Sequence, residues 1–419
     1  MASHFDTLEL RDPVVRERDL FLRLPAQVAH AKASAPAYAR LLAAVESGSI
    51  TSRAALAELP VTRKSELLEL QKANRPFGGF AATGWGSHAN RALRVFASPG
   101  PLYEPETTRP DYWRLARALF AAGFRQGDLV HNTFSYHFTP AGSMLETAAL
   151  ALGCTVFPAG IGQTEMQVQA IAELKPDGYV GTPSFLKIIL EKADETGADV
   201  SSLNKALVSG EAFPPSLRDA LAARGIAGYQ AYATADLGCI AYETEARSGL
   251  VVDEGVIVEI VRPGTGDPVA VGEVGEVVVT TFNPDYPLLR FGTGDLSAVI
   301  PESMTTPSAC GRTNLRLKGW LGRADQTTKV KGLFVHPSQV AEIARRHPGI
   351  LKARLIVDNP DGADRMTLHC ETRAAAPDMA ASIAGTIREV TKLRSEVALC
   401  EPGTLANDGK VIDDIRRYT

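Results

Sequence analysis

Apolar and polar residues change their spacing three times along this chain, and each change predicts a different kind of structure. Between residues 12 and 45, Leu20, Leu22, Leu24, Val28, Leu41 and Leu42 stand among charges, which predicts helices forming a packing shoulder. Thr62-Arg63-Lys64-Ser65-Glu66-Leu67 opens another short helix. Residues 75 to 106 are rich in Gly, Pro and Ser. They lead into Val95 to Pro105, which reads as a strand followed by a long loop, a place for ligand contacts.

From Asp111 the pattern alternates. Helices are predicted at 111–123, 143–152, 164–174, 184–195 and from Pro214 to Arg224. Between them lie the short apolar runs Asp128 to Asn132, Thr155 to Pro158, Gly178 to Thr182 and Lys205 to Ser209, then a strand around Gln230 to Tyr232. Such alternation argues for a parallel sheet covered by helices on both faces, with ligands beyond the carboxyl ends of the strands. Those ends carry His131 to Phe138, Thr182-Pro183-Ser184, Ser209-Gly210-Glu211 and Tyr232 to Asp236.

Residues 249 to 300 alternate residue by residue, as in Val256 to Val261 and Glu276 to Thr280, and read as an antiparallel β region. After Gly332 come a strand at 333–335, a helix at 337–346, strands at 351–357 and 365–372, a helix at 378–393 and a strand at 395–400. This is an α/β protein. A large N-terminal domain, 1–325, with the helix-flanked parallel sheet and a β subdomain, and a small α+β domain, 326–419, ending in the tail Glu401 to Lys410, are expected.

Composition narrows the function class. In 419 residues, 44 Lys plus Arg against 48 Asp plus Glu leave a net charge of -4, which gives no electrostatic reason to expect nucleic acid or a membrane surface. Cys154, Cys239, Cys310, Cys370 and Cys400 are scattered without metal-site spacing, so a reduced, cytoplasmic small-molecule enzyme without structural zinc is expected. The densest candidate chemistry lies between Tyr286 and Gly332. Asp295 sits on a glycine-bearing loop in Arg290-Phe291-Gly292-Thr293-Gly294-Asp295-Leu296, where a short carboxylate suits a diol such as ribose. Gly322-Arg323-Ala324-Asp325, followed by Lys329, Lys331 and Gly332, adds cations just before the pattern changes, which is where a hinge is expected.

Several of these blocks occur together in one order: Gly181-Thr182-Pro183-Ser184, Ser209-Gly210-Glu211, Tyr232 to Gly238, Gly272 to Glu276, Asp295, Cys310-Gly311-Arg312, Gly322 to Asp325 and Gly409-Lys410. With them the chain resembles the acyl-coenzyme A synthetases that form acyl-adenylates, and most closely the phenylacetate–coenzyme A ligase family. The resemblance implies ATP, Mg²⁺ and coenzyme A as cofactors and a small carboxylic acid, aromatic or other, as substrate. It places Asp295 and Arg323 on the ribose, and Ser209, Gly210, Glu211, Ala231 and Tyr232 around the adenine. Asp236 falls where the family carries a glutamate near Mg²⁺, and Ser98 and Gly100 belong to the phosphate loop. Lys410 matches the family's catalytic lysine, Asp325 and Gln326 the hinge on which the small domain is mobile, and Gly332 the face that meets the thiol. Phe134, Tyr136, His137 and Phe138 align with the acid-binding loop.

The resemblance has one large break. In Ser98-Pro99-Gly100-Pro101-Leu102-Tyr103-Glu104-Pro105, Pro99 and Pro101 remove backbone donors and Glu104 stands where a cation is common in the family. Ala235 replaces a usual hydroxyl residue. Two alternatives to an acid–coenzyme A ligase follow: adenylation with a carrier-protein thiol or amine as acceptor, and a nucleotide-binding homologue that has lost turnover. A homodimer is carried as a further expectation.

Overall fold

Alternate residues of the central strands face opposite layers, and a different set of helices is matched to each. Tyr179, Ala206 and Val208 pack with Val168, Ile171, Leu186 and Ile189, whereas Val180 and Leu207 pack with Leu119, Met144, Leu145 and Ala148. Burial on both faces is why these strands read as continuous apolar runs. The computed structural model describes residues 3–416 except 86–90, 99–101, 325, 327, 331–332, 361–363, 375–376, 407 and 409, and leaves out the side chains of Ser65, Lys329 and Phe334. Gly100, Asp325 and Gly332, expected above as site or hinge residues, lie outside the described residues.

The chain divides into two compact units: residues 1–258, 279–291 and 300–319 in the first, and 259–278, 292–299 and 320–419 in the second. In the first, Thr155–Phe157, Leu129–Asn132, Gly178–Gly181, Lys205–Val208 and Ala227–Thr234 run parallel in that spatial order. The sheet then continues antiparallel through Gly238–Glu243, Leu250–Val252 and Arg316–Leu317. Helices Ala141–Leu152, Thr164–Leu174, Pro183–Thr196 and Pro215–Ala223 supply the crossovers. The fold class expected from the alternation is the one observed.

Two elements differ from expectation for identifiable reasons. The helix expected at 111–123 is only Ala116–Ala121, because the Asp111 carboxylate accepts the backbone N–H groups of Leu115 and Ala116 at 2.8 and 3.0 Å while its own backbone turns left-handed. The loop expected after Val95 is instead the second arm of a hairpin, Arg94–Ser98 against Leu102–Glu106, with Phe96 opposite Glu104 and Ser98 opposite Leu102. Pro105 stands within that second strand, a residue sequence patterning associates with a strand's end.

In the second unit, Glu396–Cys400, Arg365–Glu371, Lys352–Asp358 and Ile412–Asp414 form a four-stranded sheet, with helices Pro337–Arg346 and Met379–Thr391 packed on a core that includes Ile343, Leu355, Leu368 and Ile383. The last strand lies in what reads as a tail. It runs parallel to Lys352–Asp358 and buries Ile412 in the core.

Candidate active site

The hairpin delivers Ser98 and Glu104 to the interior of the first unit. Glu104 is fully buried and accepts from the Ser98 hydroxyl and, at 3.3 Å, from the Ser98 backbone N–H. Burial pushes its carboxyl up to about 8, the Asp236 charge adds to that, and the Ser98 bonds and the Lys64 charge oppose it. Asp236 follows the strand Ala227–Thr234. Its Oδ2 accepts from Lys64 Nζ at 2.6 Å, and its Oδ1 is buried without a hydrogen-bond partner. A buried orphan oxygen of that kind fits a hard cation, since Mg²⁺ takes one or two carboxylates and completes its shell with water and phosphate. Among the described residues no group of three or more His, Cys, Asp or Glu is placed to hold a metal ion, so an all-protein cage is not what the residues offer.

At the carboxyl ends of Lys205–Val208 and Ala227–Thr234 lies a cavity of about 170 Å³. Phe134, Leu115, Met144, Leu145 and Leu207 make its apolar wall, and Ser98, Ser209-Gly210 and Ala231 also line it. The Ser209 hydroxyl donates to the Ala231 carbonyl at 2.8 Å, tying two neighbouring strand ends together. Glu211 is exposed and accepts the Ser184 backbone N–H at 2.6 Å, at the start of helix Pro183–Thr196. Tyr232 is half-buried and is not among the lining residues; Ala233, Thr234 and Ala235 are. Thr234, which sequence reasoning passed over, brings a hydroxyl to the cavity beside Ala235, and its oxygen accepts the Leu237 N–H at 3.2 Å.

Of the four residues aligned with the acid-binding loop, only Phe134 lines this cavity. The Tyr136 hydroxyl accepts from Asn132 Nδ2 at 2.8 Å, and His137 is exposed. Phe138 is 81% exposed with a left-handed backbone, and its carbonyl accepts the Ala97 N–H at 2.7 Å, which fastens the hairpin to this loop.

Within the second unit, Asp295 and Arg323 are direct partners on antiparallel strands. Arg323 Nη1 lies 2.9 Å from Asp295 Oδ1, and the Trp320 indole donates to the same oxygen at 3.1 Å. Gly294 suits this turn because its φ is +74°, a left-handed conformation that strains residues with a Cβ. Arg323, Gln326 and Lys410 line one cavity of about 290 Å³. The Gln326 side-chain oxygen accepts the backbone N–H groups of Val411 and Ile412 at 2.5 and 2.8 Å, and Arg354 donates to the Lys410 carbonyl at 3.2 Å. Lys410 is thus held by its backbone while its half-exposed ammonium pairs with Asp413 at 2.8 Å.

Residues 111–283 match the family described as AMP-binding enzyme, which gives the class. Over 407 residues the chain is 30% identical to a phenylacetate-coenzyme A ligase of Aromatoleum evansii, covering 91% of this chain and 89% of that protein. Over 357 residues it is 31% identical to a phenylacetate-coenzyme A ligase of Thermus thermophilus, covering 81% and 77%. The chain belongs to the phenylacetate–coenzyme A ligase family of AMP-binding enzymes. A crystal structure of 2-hydroxyisobutyryl-CoA ligase in complex with 2-HIB-AMP and CoA has the same fold, with a TM-score of 0.71 at 23% identity over 99% of this chain and 93% of that one.

Proposed function

We propose that this chain is an AMP-forming acid–coenzyme A ligase for a small carboxylic acid with an apolar tail. The observation that carries the reading is the apolar cavity of about 170 Å³ that opens among Ser98, Ser209-Gly210 and Ala231. An apolar space of roughly 150 Å³ accepts a benzene-sized group, and among the described residues no charged side chain lines this one. An aryl or short branched acid fits it.

In the first half reaction a carboxylate oxygen attacks the α-phosphorus of ATP. The new P–O bond forms as the bond to the β-phosphate oxygen breaks, and pyrophosphate leaves. In the second, the coenzyme A sulfur attacks the acyl carbon, the C–O bond to AMP breaks, and the thiol proton passes to solvent. Ser209, Gly210 and Ala231 take the nucleotide's base, with Glu211 and Tyr232 at the edges of that position. Asp295 accepts from the ribose hydroxyls, and the Arg323 guanidinium beside it holds the carboxylate in place. Asp236 is the carboxylate for Mg²⁺, which when bound offsets phosphate charge. The Lys410 ammonium offsets charge that grows on the α-phosphate in the transition state. A turn of the 326–419 segment about its start, with Gln326 as the described hinge residue, would exchange Lys410 for the thiol.

A screen of aryl and short-chain acids for acid-dependent pyrophosphate release, with and without coenzyme A, tests this. Release that needs an acid and yields thioester only with coenzyme A supports it; no release with any acid defeats it. Release without coenzyme A consumption points to a carrier-protein thiol or an amine as acceptor. The buried Glu104, a carboxyl in the hairpin where a phosphate-binding cation is common in the family, favours a second reading in which the chain binds nucleotide without turnover. AMP binding with no exchange of labelled pyrophosphate into ATP would select it. Sedimentation of the purified chain decides whether it forms a homodimer.

A further inference from the structure

We infer that Lys64 is the cation that receives the β- or γ-phosphate of the nucleotide, delivered from the start of a helix rather than from the hairpin. This role presupposes the adenylation reading above and adds one binding residue to it. The described part of the hairpin turn offers no cation: Ser98, Leu102, Tyr103 and Glu104 occupy it, and the Glu104 carboxyl is buried against Ser98. Asp236 brings a second buried carboxylate into the same electrostatic neighbourhood. The Glu104 carboxyl, kept protonated by burial, offers a phosphate no attraction, and the Asp236 charge repels a polyphosphate unless a positive charge stands between it and the ligand.

Lys64 is placed to supply that charge. Its Nζ lies 2.6 Å from Asp236 Oδ2, and its side chain is 25% exposed whereas that of Asp236 is 0% exposed. The ammonium therefore marks the boundary between the buried carboxylates and solvent. It is a compact charge on a flexible four-carbon stem, so rotation of the stem carries it from carboxylate to phosphate without moving the helix. Lys64 is also the first residue of the ten-residue helix Lys64–Ala73, whose positive dipole end adds to the attraction. Asp236 Oδ1, buried and without a partner, gives the independent sign that the pair is built to meet something more than itself. When Lys64 turns to a phosphate, both Asp236 oxygens become free for the hard cation that accompanies ATP.

The test compares ATP with Mg²⁺ against AMP, by calorimetry on the full chain and its Lys64→Met and Lys64→Arg variants. Removing a charge-assisted contact to a phosphate should weaken ATP about 10- to 100-fold, leave AMP within about twofold, and raise the ATP KM in pyrophosphate release. Lys64→Arg should recover most of the loss. ATP and AMP weakened together, or neither weakened, overturns the role while leaving the adenylation reading intact. Failure of the wild-type chain to bind either nucleotide overturns both. A second measurement needs no variant: reductive methylation of the wild-type chain, read by mass spectrometry, should label Lys64 in buffer and with AMP but not with ATP and Mg²⁺. Equal labelling in all three overturns the proposal even if Lys64→Met does not fold.

Discussion

Relative to wild type, the stability of Glu104→Gln should rise with pH. In the folded chain burial holds the Glu104 proton up to about pH 8, whereas the free side chain releases it near 4.5. The sign follows directly: a group whose folded pKa is raised gives stability that is complete below the unfolded value and is lost as pH rises through the folded one. Within that window the loss is about 1.4 kcal/mol per pH unit, or about 3 kcal/mol from pH 5.5 to 7.5. Glutamine cannot ionise, so Glu104→Gln escapes the loss. It gives up one of the two Ser98 bonds, a cost of about 1 kcal/mol that does not vary with pH. Urea unfolding of wild type and variant at pH 5.5, 6.5 and 7.5 isolates the effect, because Asp111, which burial pushes up to about 7, titrates alike in both. The variant should start slightly less stable and cross to more stable. A stability difference that stays constant across the three pH values would show that Glu104 does not titrate with a raised pKa in the folded chain.

Three further outcomes follow from the site. Asp295→Asn removes the charge that Arg323 faces, so the ATP KM should rise about tenfold; stability should change by less than ~1 kcal/mol, because the guanidinium is half exposed. Lys410→Ala should lower acid-dependent pyrophosphate release about 100- to 1000-fold while thioester formation from supplied acyl-adenylate persists, as rapid-quench assays would resolve. Ala233→Leu narrows the apolar cavity that Ala233 lines, and kcat/KM measured over a series of acids should shift from aryl to shorter tails.

Much of the fold was legible because period-2 burial leaves a local trace. Tyr179 and Val180 are neighbours in sequence and face different cores, so the strand between them reads as continuously apolar. The strand Ile412–Asp414 left no such trace, since three residues are too few for a period and its first residue is tied to Gln326, 86 residues earlier. The hairpin was hidden by prolines that normally mark loops. At the site, Asp295 and Arg323 were each named for the ribose through family resemblance; that they face each other as a strand register is visible only in the structure. The Lys64–Asp236 pair spans 172 residues. No local pattern links those two positions; only the fold brings the helix start to the end of the strand. Glu104 was visible as a charge of the wrong sign, but its burial, and hence its raised pKa, belongs to the packing of the hairpin.

The central claim, that this chain joins an apolar acid to coenzyme A through an adenylate, is tested most directly by incubating it with phenylacetate, ATP, Mg²⁺ and coenzyme A and measuring all nucleotide and thioester products by mass spectrometry. One AMP and one pyrophosphate should form for each acyl-coenzyme A, and none when the acid is omitted. Thioester formed with ADP in place of AMP, or no acid-dependent product from phenylacetate or any other apolar acid of that size, would contradict it.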